Sequence, residues 1–254
     1  MSVKSAMTAL ADAIRSKTGS TEPLSIEDMA RAIEGIHTGV DIGPLLDGSV
    51  TEVIIPQTIK NIKAYALYLS RITSLTIPKN IETIGVYALS YSSIESLTIE
   101  NANVEWGSAF RFCSSLKIIN FPNGIRSIPG YALGSAGIES LMIPQGTEKL
   151  GGYCLGSCNK LHTLHIPSSV SQIEPSALER CTALADVTLG DGFNASRLDL
   201  HWCPLTVESM VQILGALANN TGTTAKTLTL GTTNLEKLTD EQIAIATNKN
   251  WTLA

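Results

Sequence analysis

The sequence predicts an α/β solenoid with 22–23-residue repeats, short parallel strands on one face and helical caps at both ends. First, one segment recurs, as ITSLTIPKNIETIGVYALSYSS (72–93), IESLMIPQGTEKLGGYCLGSCNK (138–160) and LHTLHIPSSVSQIEPSALERCTA (161–183). Second, prolines mark the period at spacings of 22, 44, 22 and 23, with Glu100 in the gap: Pro56, Pro78, Pro122, Pro144 and Pro167. A fixed period of this length is typical of stacked repeats.

The third observation is the apolar pattern inside each copy. Seven segments keep apolar residues at the first, fourth and sixth positions: VTEVIIP (50–56), ITSLTIP (72–78), IESLTIE (94–100), LKIINFP (116–122), IESLMIP (138–144), LHTLHIP (161–167) and LADVTLG (184–190). Alternation of apolar and polar residues predicts a short strand with one face inward. Proline or glycine at the seventh position ends most of these strands, because proline cannot donate to a ladder.

The return limb of each repeat has its own pattern. An apolar pair spaced by three, such as Ile81 and Ile84, precedes a Tyr-Ala-Leu motif, and a small residue follows. The small residues are Ser70, Ser92, Cys113, Ala136, Cys158 and Cys181. A small side chain at this position lets one coil lie close against the next.

The combined pattern, L-x-x-L-x-I-P-x-x-V-x-x-I-G-x-Y-A-L-x-x-C-x-x-L, resembles the BspA-type leucine-rich repeats of bacteria and some protists. The resemblance covers residues 50–190 and implies a leucine-rich-repeat solenoid. Leucine replaces the usual Phe at five positions: Leu67, Leu89, Leu133, Leu155 and Leu178. That replacement keeps the core apolar.

Residues 1–38 differ from the repeats and predict two short amphipathic helices. The first has apolar residues at helical spacing from Ala6 to Ile14, and Ser25 to Asp28 resembles a capping box that opens the second. Their apolar faces are too small to stand alone. They therefore either cap the first repeat or attach the protein to another chain.

After Gly190 the register changes. Strand-like segments at 196–200, 227–230 and 251–253 alternate with two helices, one that Thr206 can cap and that runs to about residue 219, and one from Thr239 to about residue 248. We therefore predict three regions: a helical cap or attachment segment (1–38), the solenoid (39–190) and C-terminal β–α repeats with a cap (191–254).

Both ends carry a second resemblance. GTTAKTLTLG and LTDEQIAIATNKNWTLA near the C-terminus, and LADAIRSKTG with LSIEDMARAI near the N-terminus, resemble leucine-rich-repeat proteins encoded in phage-tail and prophage regions of Gram-positive bacteria. This resemblance implies association with a virion.

The composition excludes several classes of function. The net charge is −5 and no Lys/Arg run occurs, so nucleic-acid binding and anionic-membrane binding are not expected. Asp12 and Arg15 interrupt the apolar residues of the N-terminus, so we expect no signal peptide, and no stretch predicts a membrane span. The five cysteines favour buried thiols over a disulfide framework.

One cluster has the spacing of a metal site: Cys154, Cys158, His162 and His165. The repeat register argues against convergence, because the cysteines take small-residue core positions and the histidines fall on the next strand. Cys158 and Cys181 should lie one coil apart, within disulfide range, but we expect both to be buried thiols. We therefore predict no metal site.

Catalysis is not expected either. The sequence has no G-x-S-x-G elbow, no Gly-rich phosphate loop and no H-E-x-x-H motif, and we predict no cofactor. Serine and threonine paired with His162, His165 or His201 would be needed for a hydrolase, which is the most distant alternative.

The candidate binding surface lies on the strand face. Most exposed third and fifth strand positions are small and polar, and the exceptions form the candidate site: Ile54, Ile118, Asn120, Met142 and His165. A rival is the tyrosine row, Tyr65 and Tyr87 with Tyr131 and Tyr153, although packing between coils also explains it.

These observations together predict a non-catalytic recognition protein that binds a protein or a cell-surface glycan. Phage-tail or prophage association, and hence a place on the virion, is the favoured setting. A bacterial cell-surface adhesin is the alternative, which the repeat family also suggests and which the missing signal peptide disfavours.

Overall fold

The computed structural model describes residues 52–254, and the predicted helices of residues 1–38 lie outside that range. Twelve strands precede residue 190 in the described part: β1 (Glu52–Val53), β2 (Asn61–Ile62), β3 (Ser74–Ile77), β4 (Thr83–Ile84), β5 (Ser96–Ile99), β6 (Ile118–Asn120), β7 (Ser127–Ile128), β8 (Ser140–Met142), β9 (Lys149–Leu150), β10 (Thr163–Ile166), β11 (Gln172–Ile173) and β12 (Asp186–Leu189). Every pair among them is parallel. This confirms the predicted solenoid of short parallel strands.

The predicted strands form one side of the coils, which we call the sheet face. It consists of two sheets, β1-β3-β5-β6 and β8-β10-β12. Leu75 pairs with Leu97, and Leu164 pairs with Val187, so equivalent positions of successive coils lie side by side. Alternate residues point inward and are buried, as the pattern of β3 shows.

No ladder joins β6 to β8 in the described residues, and the irregular coil is the preceding one, which carries β5. Trp106 and Phe110 are fully buried there, with ring centroids 5.3 Å apart, and Phe121 lies 6.4 Å from Trp106. These large rings fill the interior where other coils have smaller aliphatic side chains. That coil also lacks a return-limb strand in the described residues, and an isolated bridge between Glu105 and Thr83 stands in its place.

A second set of strands, not predicted from the sequence, lies on the return limb. It forms the sheets β2-β4 and β7-β9-β11, and each of these strands has only two residues. The second residue of every one is buried: Ile62, Ile84, Ile128, Leu150 and Ile173. A strand of two residues is too short to show an alternation of apolar and polar side chains. The sequence of the return limb therefore revealed only its apolar pair.

Each coil then turns through a third side, which we call the loop face (63–70, 85–92, 107–113, 129–136, 151–158 and 174–181). Its backbone N–H groups donate across to the next coil, for example from Tyr131 to the Gly152 oxygen at 3.0 Å and from Leu133 to the Cys154 oxygen at 2.9 Å. Beneath it, the small residues are buried as predicted. The thiols of Cys113, Cys158 and Cys181 each donate to a carbonyl oxygen of the preceding coil at 3.2 Å.

The C-terminal region alternates strands and helices: β13 (Arg197–Asp199), α1 (Val207–Ala216), β14 (Lys226–Thr229), α2 (Thr232–Leu235), α3 (Asp240–Thr247) and β15 (Trp251–Leu253). The N-cap of α1 at Thr206 and the capping box of Thr239 with Gln242 are confirmed. Helix α1 ends at Ala216 rather than near residue 219, and the one-turn α2 was not predicted. Within residues 52–254, no helix has the length and apolar character needed to cross a membrane.

Helix α1 also closes the sheet face. The buried Ser209 hydroxyl accepts from the Val187 N–H at 2.8 Å and donates to the Val187 oxygen at 3.1 Å. It thereby satisfies the outer edge of β12, where a further strand would otherwise pair. The β13-β14-β15 sheet forms separately beyond it.

Candidate binding surfaces

The apolar candidates of the sheet face are exposed, as their strand positions predict. Ile54 is 88% exposed, Met142 73% and Ile118 54%. Strand positions of this kind project from the pleat toward solvent, since their neighbours along the strand fill the core. Exposed apolar side chains of this size mark potential contact points when they share one face.

The structure groups these candidates unevenly. Met142 pairs directly with His165 on the next strand. Ile118 and Asn120 lie on β6, on the other side of the break, where the Asn120 amide donates to the Thr98 hydroxyl at 3.1 Å. Ile54 follows β1 and is separated from Asn120 by β3 and β5. Four of the five candidates therefore lie on neighbouring coils, and Ile54 lies apart.

His165 is held by one neighbour on the sheet face. Its Nδ1 lies 2.9 Å from the Thr188 hydroxyl, and no carboxylate of the described residues bonds to its ring. The imidazole is half-buried between Met142 and Thr188, so it offers one ring nitrogen and an edge to a ligand. It is a polar contact beside the apolar Met142 on the sheet face.

The loop face presents a second surface, which we call the aromatic ladder: Tyr65, Tyr68, Tyr87, Tyr91, Arg111, Phe112, Tyr131 and Tyr153. Tyr65 contacts both Tyr68 and Tyr87 with centroids 5.6 Å apart, and Tyr68 lies 5.6 Å from Tyr91. Tyr91 stacks on Phe112 at 4.8 Å. These contacts run from coil to coil without a gap.

Arg111 joins the two halves of the ladder. Its guanidinium carbon lies 4.5 Å from the Phe112 centroid, 4.8 Å from that of Tyr131 and 5.8 Å from that of Tyr153. Tyr131 and Tyr153 are themselves 5.4 Å apart. A cation over aromatic faces is attracted by their negative quadrupole. The tyrosines of the row thus pack between coils, which was one of the two interpretations of the sequence. Tyr65 and Tyr131 also remain partly exposed to solvent.

The backbone of the loop face is left-handed at many of these positions. Tyr65, Tyr87, Tyr91, Tyr131 and Tyr153 have φ between 56° and 60°. Such angles are uncommon outside glycine because the Cβ atom crowds the backbone. At the two corresponding positions other coils carry serine, namely Ser135, Ser157 and Ser176.

The Cys/His cluster does not converge. Cys154 and Cys158 are fully buried, and their thiols point at the carbonyl oxygens of Ala177 and Leu133. His162 is exposed on the next coil, and His165 bonds to Thr188. No group of three or more metal-ligating side chains occurs within residues 52–254. All five thiols are free and buried, Cys158 and Cys181 included.

Burial also makes these thiols poor nucleophiles. Desolvation raises the pKa of Cys113, Cys154 and Cys181 to about 12, and it raises the pKa of Cys158 and Cys203 as well. Since the thiolate is the reactive species, almost none is present near neutral pH. These cysteines serve the packing between coils.

His201 has the one histidine–carboxylate contact in the described part of the chain. Its Nδ1 lies 2.6 Å from the Asp199 carboxylate, and Trp202 lies against the ring at 4.8 Å. No described Ser or Thr hydroxyl bonds to its Nε2, so a nucleophile–base–acid chain is not assembled. The arrangement orients an exposed imidazole at the start of the C-terminal region.

A model of the BspA type leucine rich repeat region, in six copies, matches residues 47–159 and 107–198. Together the two matches span 47–198, which is more than half of the 254 residues. The chain belongs to the BspA-type leucine-rich-repeat family. No curated protein matches it.

The solved structures to which this BspA-type chain is similar include leucine-rich-repeat proteins. One from T. pallidum is 18% identical, with 82% of this chain and 87% of that chain covered and a TM-score of 0.49. One from Bacteroides ovatus is 15% identical, with coverages of 72% and 64% and a TM-score of 0.34. A leucine rich cell surface protein from Faecalibacterium prausnitzii is 14% identical, with coverages of 81% and 79% and a TM-score of 0.24.

Within this BspA-type solenoid, sequence reasoning missed the extent of the ladder. The Tyr-Ala-Leu spacing indicated four tyrosines, but Tyr68, Tyr91 and Phe112 occupy other positions of the turn and were not included. Arg111 had no sequence signal, because its role depends on rings from two further coils. Six tyrosines, all between residues 65 and 153, were the signal that could have found the surface.

Proposed function

We propose that this protein is a non-catalytic recognition protein that binds a protein or a cell-surface glycan, in association with a phage tail or a prophage. The observation that carries the recognition function is the sheet face. Solenoids bind along extended faces, and here Ile118, Met142 and His165 stand out from small polar neighbours. The setting is supported by the resemblance of both chain ends to phage-tail leucine-rich-repeat proteins.

The recognition function is tested by binding of the fluorescently labelled full chain to intact Gram-positive cells. We expect saturable binding that unlabelled protein competes away. Ile118→Ser and Met142→Thr should together weaken it at least about tenfold, because central apolar contacts dominate many interfaces. Both replacements occur at equivalent positions of other coils, as Ser96 and Thr98, so they suit the fold. If the chain shows saturable binding to none of the cell types tested, the recognition function is refuted.

The matched control for that experiment is a change at an already polar position of the same face. Thr98→Ser alters a fifth-position residue on β5 and leaves Ile118 and Met142 in place. Cell binding should stay within about twofold of the unchanged chain, since small polar rim contacts contribute little. A loss equal to that of the double variant would show that the apolar residues are not the contact.

Tail association is tested by fractionating virions or tail particles from the source bacterium. We propose that residues 1–38 attach the protein to another tail chain through the apolar stripe of the first predicted helix. Ile14→Asp should then release the full chain from particles while leaving cell binding unchanged. Recovery of the protein with the cell envelope, and never with particles, would instead support the adhesin alternative, which the repeat family favours.

A further inference from the structure

The aromatic ladder is more than the fold requires. All six tyrosines of the chain lie in it, and Tyr91 and Tyr131 are 49% and 47% exposed. Ser135, Ser157 and Ser176 show that serine satisfies the same backbone positions. Because those positions are left-handed, large side chains gain no conformational benefit there. The tyrosines therefore supply exposed aromatic surface in addition to their packing between coils.

The ladder is also free of acidic residues. The segments 63–70, 85–92, 107–113, 129–136 and 151–158 contain no Asp or Glu, although the chain has 23 of them. The sixth segment of the loop face, 174–181, lies one coil beyond Tyr153 and carries Glu174, which pairs with Lys149, and Glu179. Their two charged residues are Lys63 and Arg111. In a chain with a net charge of −5, the five coils of the ladder therefore offer an anionic ligand cations and no carboxylate of their own.

Arg111 lies at the centre of the ladder, and no carboxylate of residues 52–254 pairs with it. Its guanidinium forms no hydrogen bond with the described residues, and its Nε is buried without a partner. Four other cations of the solenoid are paired with glutamate across coils: Lys60, Lys117, Arg126 and Lys149. The Arg111 guanidinium instead lies against aromatic rings, which positions it for a carboxylate, sulphate or phosphate group.

Two glycines, Gly134 and Gly156, pack closely against the Tyr153 ring and hold it in place. A Cβ at Gly156 would lie 2.6 Å from the Tyr153 ring, and one at Gly134 would lie 3.3 Å from the same ring and 3.6 Å from Arg111 Cγ. The two glycines thus leave the space in which the Tyr153 ring lies. The Tyr153 hydroxyl is bonded to Ser157 at 2.5 Å. This end of the surface is therefore preorganised, which lowers the entropic cost of binding.

The chemistry of the surface fits sugars better than a peptide strand. Its backbone N–H groups already donate to neighbouring coils, as at Tyr65, Leu67 and Leu69, so they cannot pair with an added strand. What remains for a ligand is the exposed surface of the rings, such as those of Tyr91 and Tyr131, and one guanidinium. The slightly positive C–H groups of a sugar ring suit the negative faces of aromatic rings.

We propose that the aromatic ladder binds an acidic polysaccharide, with sugar rings over Tyr91 and Tyr131 and an acidic group on the Arg111 guanidinium. The inference rests on the proposed recognition function but assigns it a second surface, independent of Ile118 and Met142. The ligand class is a glycan chain carrying carboxylate or sulphate groups, and the coil-to-coil repetition of rings suits a polymer with a regular repeat.

The test uses the full chain and five immobilised polymers: polygalacturonate, dextran sulphate, neutral dextran, poly-glutamate and polyproline. We expect polygalacturonate or dextran sulphate to bind at least about tenfold more tightly than dextran and poly-glutamate. Binding of polygalacturonate alone would identify a carboxylate as the acidic group of the ligand. Binding of dextran sulphate alone would identify a sulphate. If poly-glutamate binds as tightly as the acidic polysaccharides, charge alone explains the binding. If polyproline binds more tightly than they do, the surface is a peptide site. Either result overturns the inference.

Substitutions in the aromatic ladder test whether the glycan binds there. Tyr91→Ser with Tyr131→Ser should weaken acidic-glycan binding at least about tenfold. Arg111→Gln should bring the acidic polymer to within about twofold of dextran. The control Gly215→Ala, in α1, adds a Cβ with nothing within 4 Å and should leave glycan binding unchanged. Circular dichroism melting of each variant checks that the solenoid persists, and equal glycan binding by folded ladder variants would overturn the assignment.

The cell-binding experiment separates this inference from the proposed function. If the chain binds cells saturably but no acidic polymer, the ladder assignment fails and recognition stands. If it binds acidic polymers through the ladder but no cell, the ladder assignment stands and the proposed cellular target fails.

Discussion

The sheet face and the loop face are built by the same coils but use opposite means. On the sheet face the backbone is extended, most exposed side chains are small, and single apolar residues such as Met142 interrupt the pattern. On the loop face the backbone is left-handed at repeated positions, and large rings touch from one coil to the next. The sheet face would bind through the few apolar residues that interrupt its polar pattern. The loop face would bind through aromatic rings that recur from coil to coil.

The difference has a physical origin in how the coils meet. On the sheet face, main-chain ladders set the spacing, so an exposed side chain can change without affecting the next coil. On the loop face, glycines and small residues allow close approach, and side chains of successive coils share their contacts. Substitutions on the loop face should therefore affect stability more than those on the sheet face.

The largest effect is expected at a close contact where a coil enters the loop face. In Gly151→Ala the new Cβ would lie 2.3 Å from the Gly130 nitrogen, a backbone atom that cannot move alone. We expect a loss of about 3 kcal/mol in the free energy of unfolding, measured by urea denaturation. Gly215→Ala in α1 is the control, because nothing lies within 4 Å of its added Cβ. Equal midpoints for the two variants would show that close approach is not required.

A second effect should come from the thiols beneath the loop face. Burial raises the pKa of Cys113 and Cys181 to about 12 from an ordinary value of 9.0. Between these values the unfolded chain has lost protons that the folded chain keeps, so rising pH destabilises the fold. From pH 9 to pH 10 each thiol should cost about 1 kcal/mol.

The comparison is with the double variant Cys113→Ala and Cys181→Ala, whose replacement occurs naturally as Ala136 at the same position. Over that pH step the unchanged protein should lose about 2 kcal/mol more than the variant. Urea denaturation at both pH values measures the difference. Identical pH dependence would mean that these thiols do not retain their protons in the folded state.

A smaller effect distinguishes exposed residues of the two faces. Tyr131→Ser removes ring contacts to Tyr153 and Arg111 and should cost about 1 kcal/mol. Met142→Thr removes a side chain that is 73% exposed and should stay within about 0.5 kcal/mol of the unchanged protein. Thermal melting of both variants under one set of conditions tests this. A larger loss for Met142→Thr would reverse the proposed contrast.

The smallest effect concerns the backbone itself. Ser176 is exposed with φ of 63°, so Ser176→Gly should relieve crowding and stabilise the protein by about 0.5 kcal/mol. Ser140 is exposed in the extended strand β8, and Ser140→Gly should destabilise it by about 0.5–1 kcal/mol. Opposite signs of the two shifts in melting temperature support the contrast, and the same sign for both would contradict it.

The sequence alone determined the stacked parallel strands, the inward and outward positions along them, and the caps at Thr206 and Thr239. These features depend on local rules, since alternation and capping involve residues within a few positions of one another. The exposure of Ile54, Ile118 and Met142 followed from the same alternation. The predicted regions 1–38, 39–190 and 191–254 stay a prediction, as do the binding roles of the five sheet-face residues.

Only the tertiary structure decided which side chains meet between coils. It directed Cys154 and Cys158 toward carbonyl oxygens, left β6 without a ladder to β8, and laid Arg111 between rings of three coils. Each outcome depends on side-chain directions set by left-handed turns and close packing more than twenty residues apart. A repeat pattern fixes where a residue lies within its coil, but contacts across coils depend on how the coils stack.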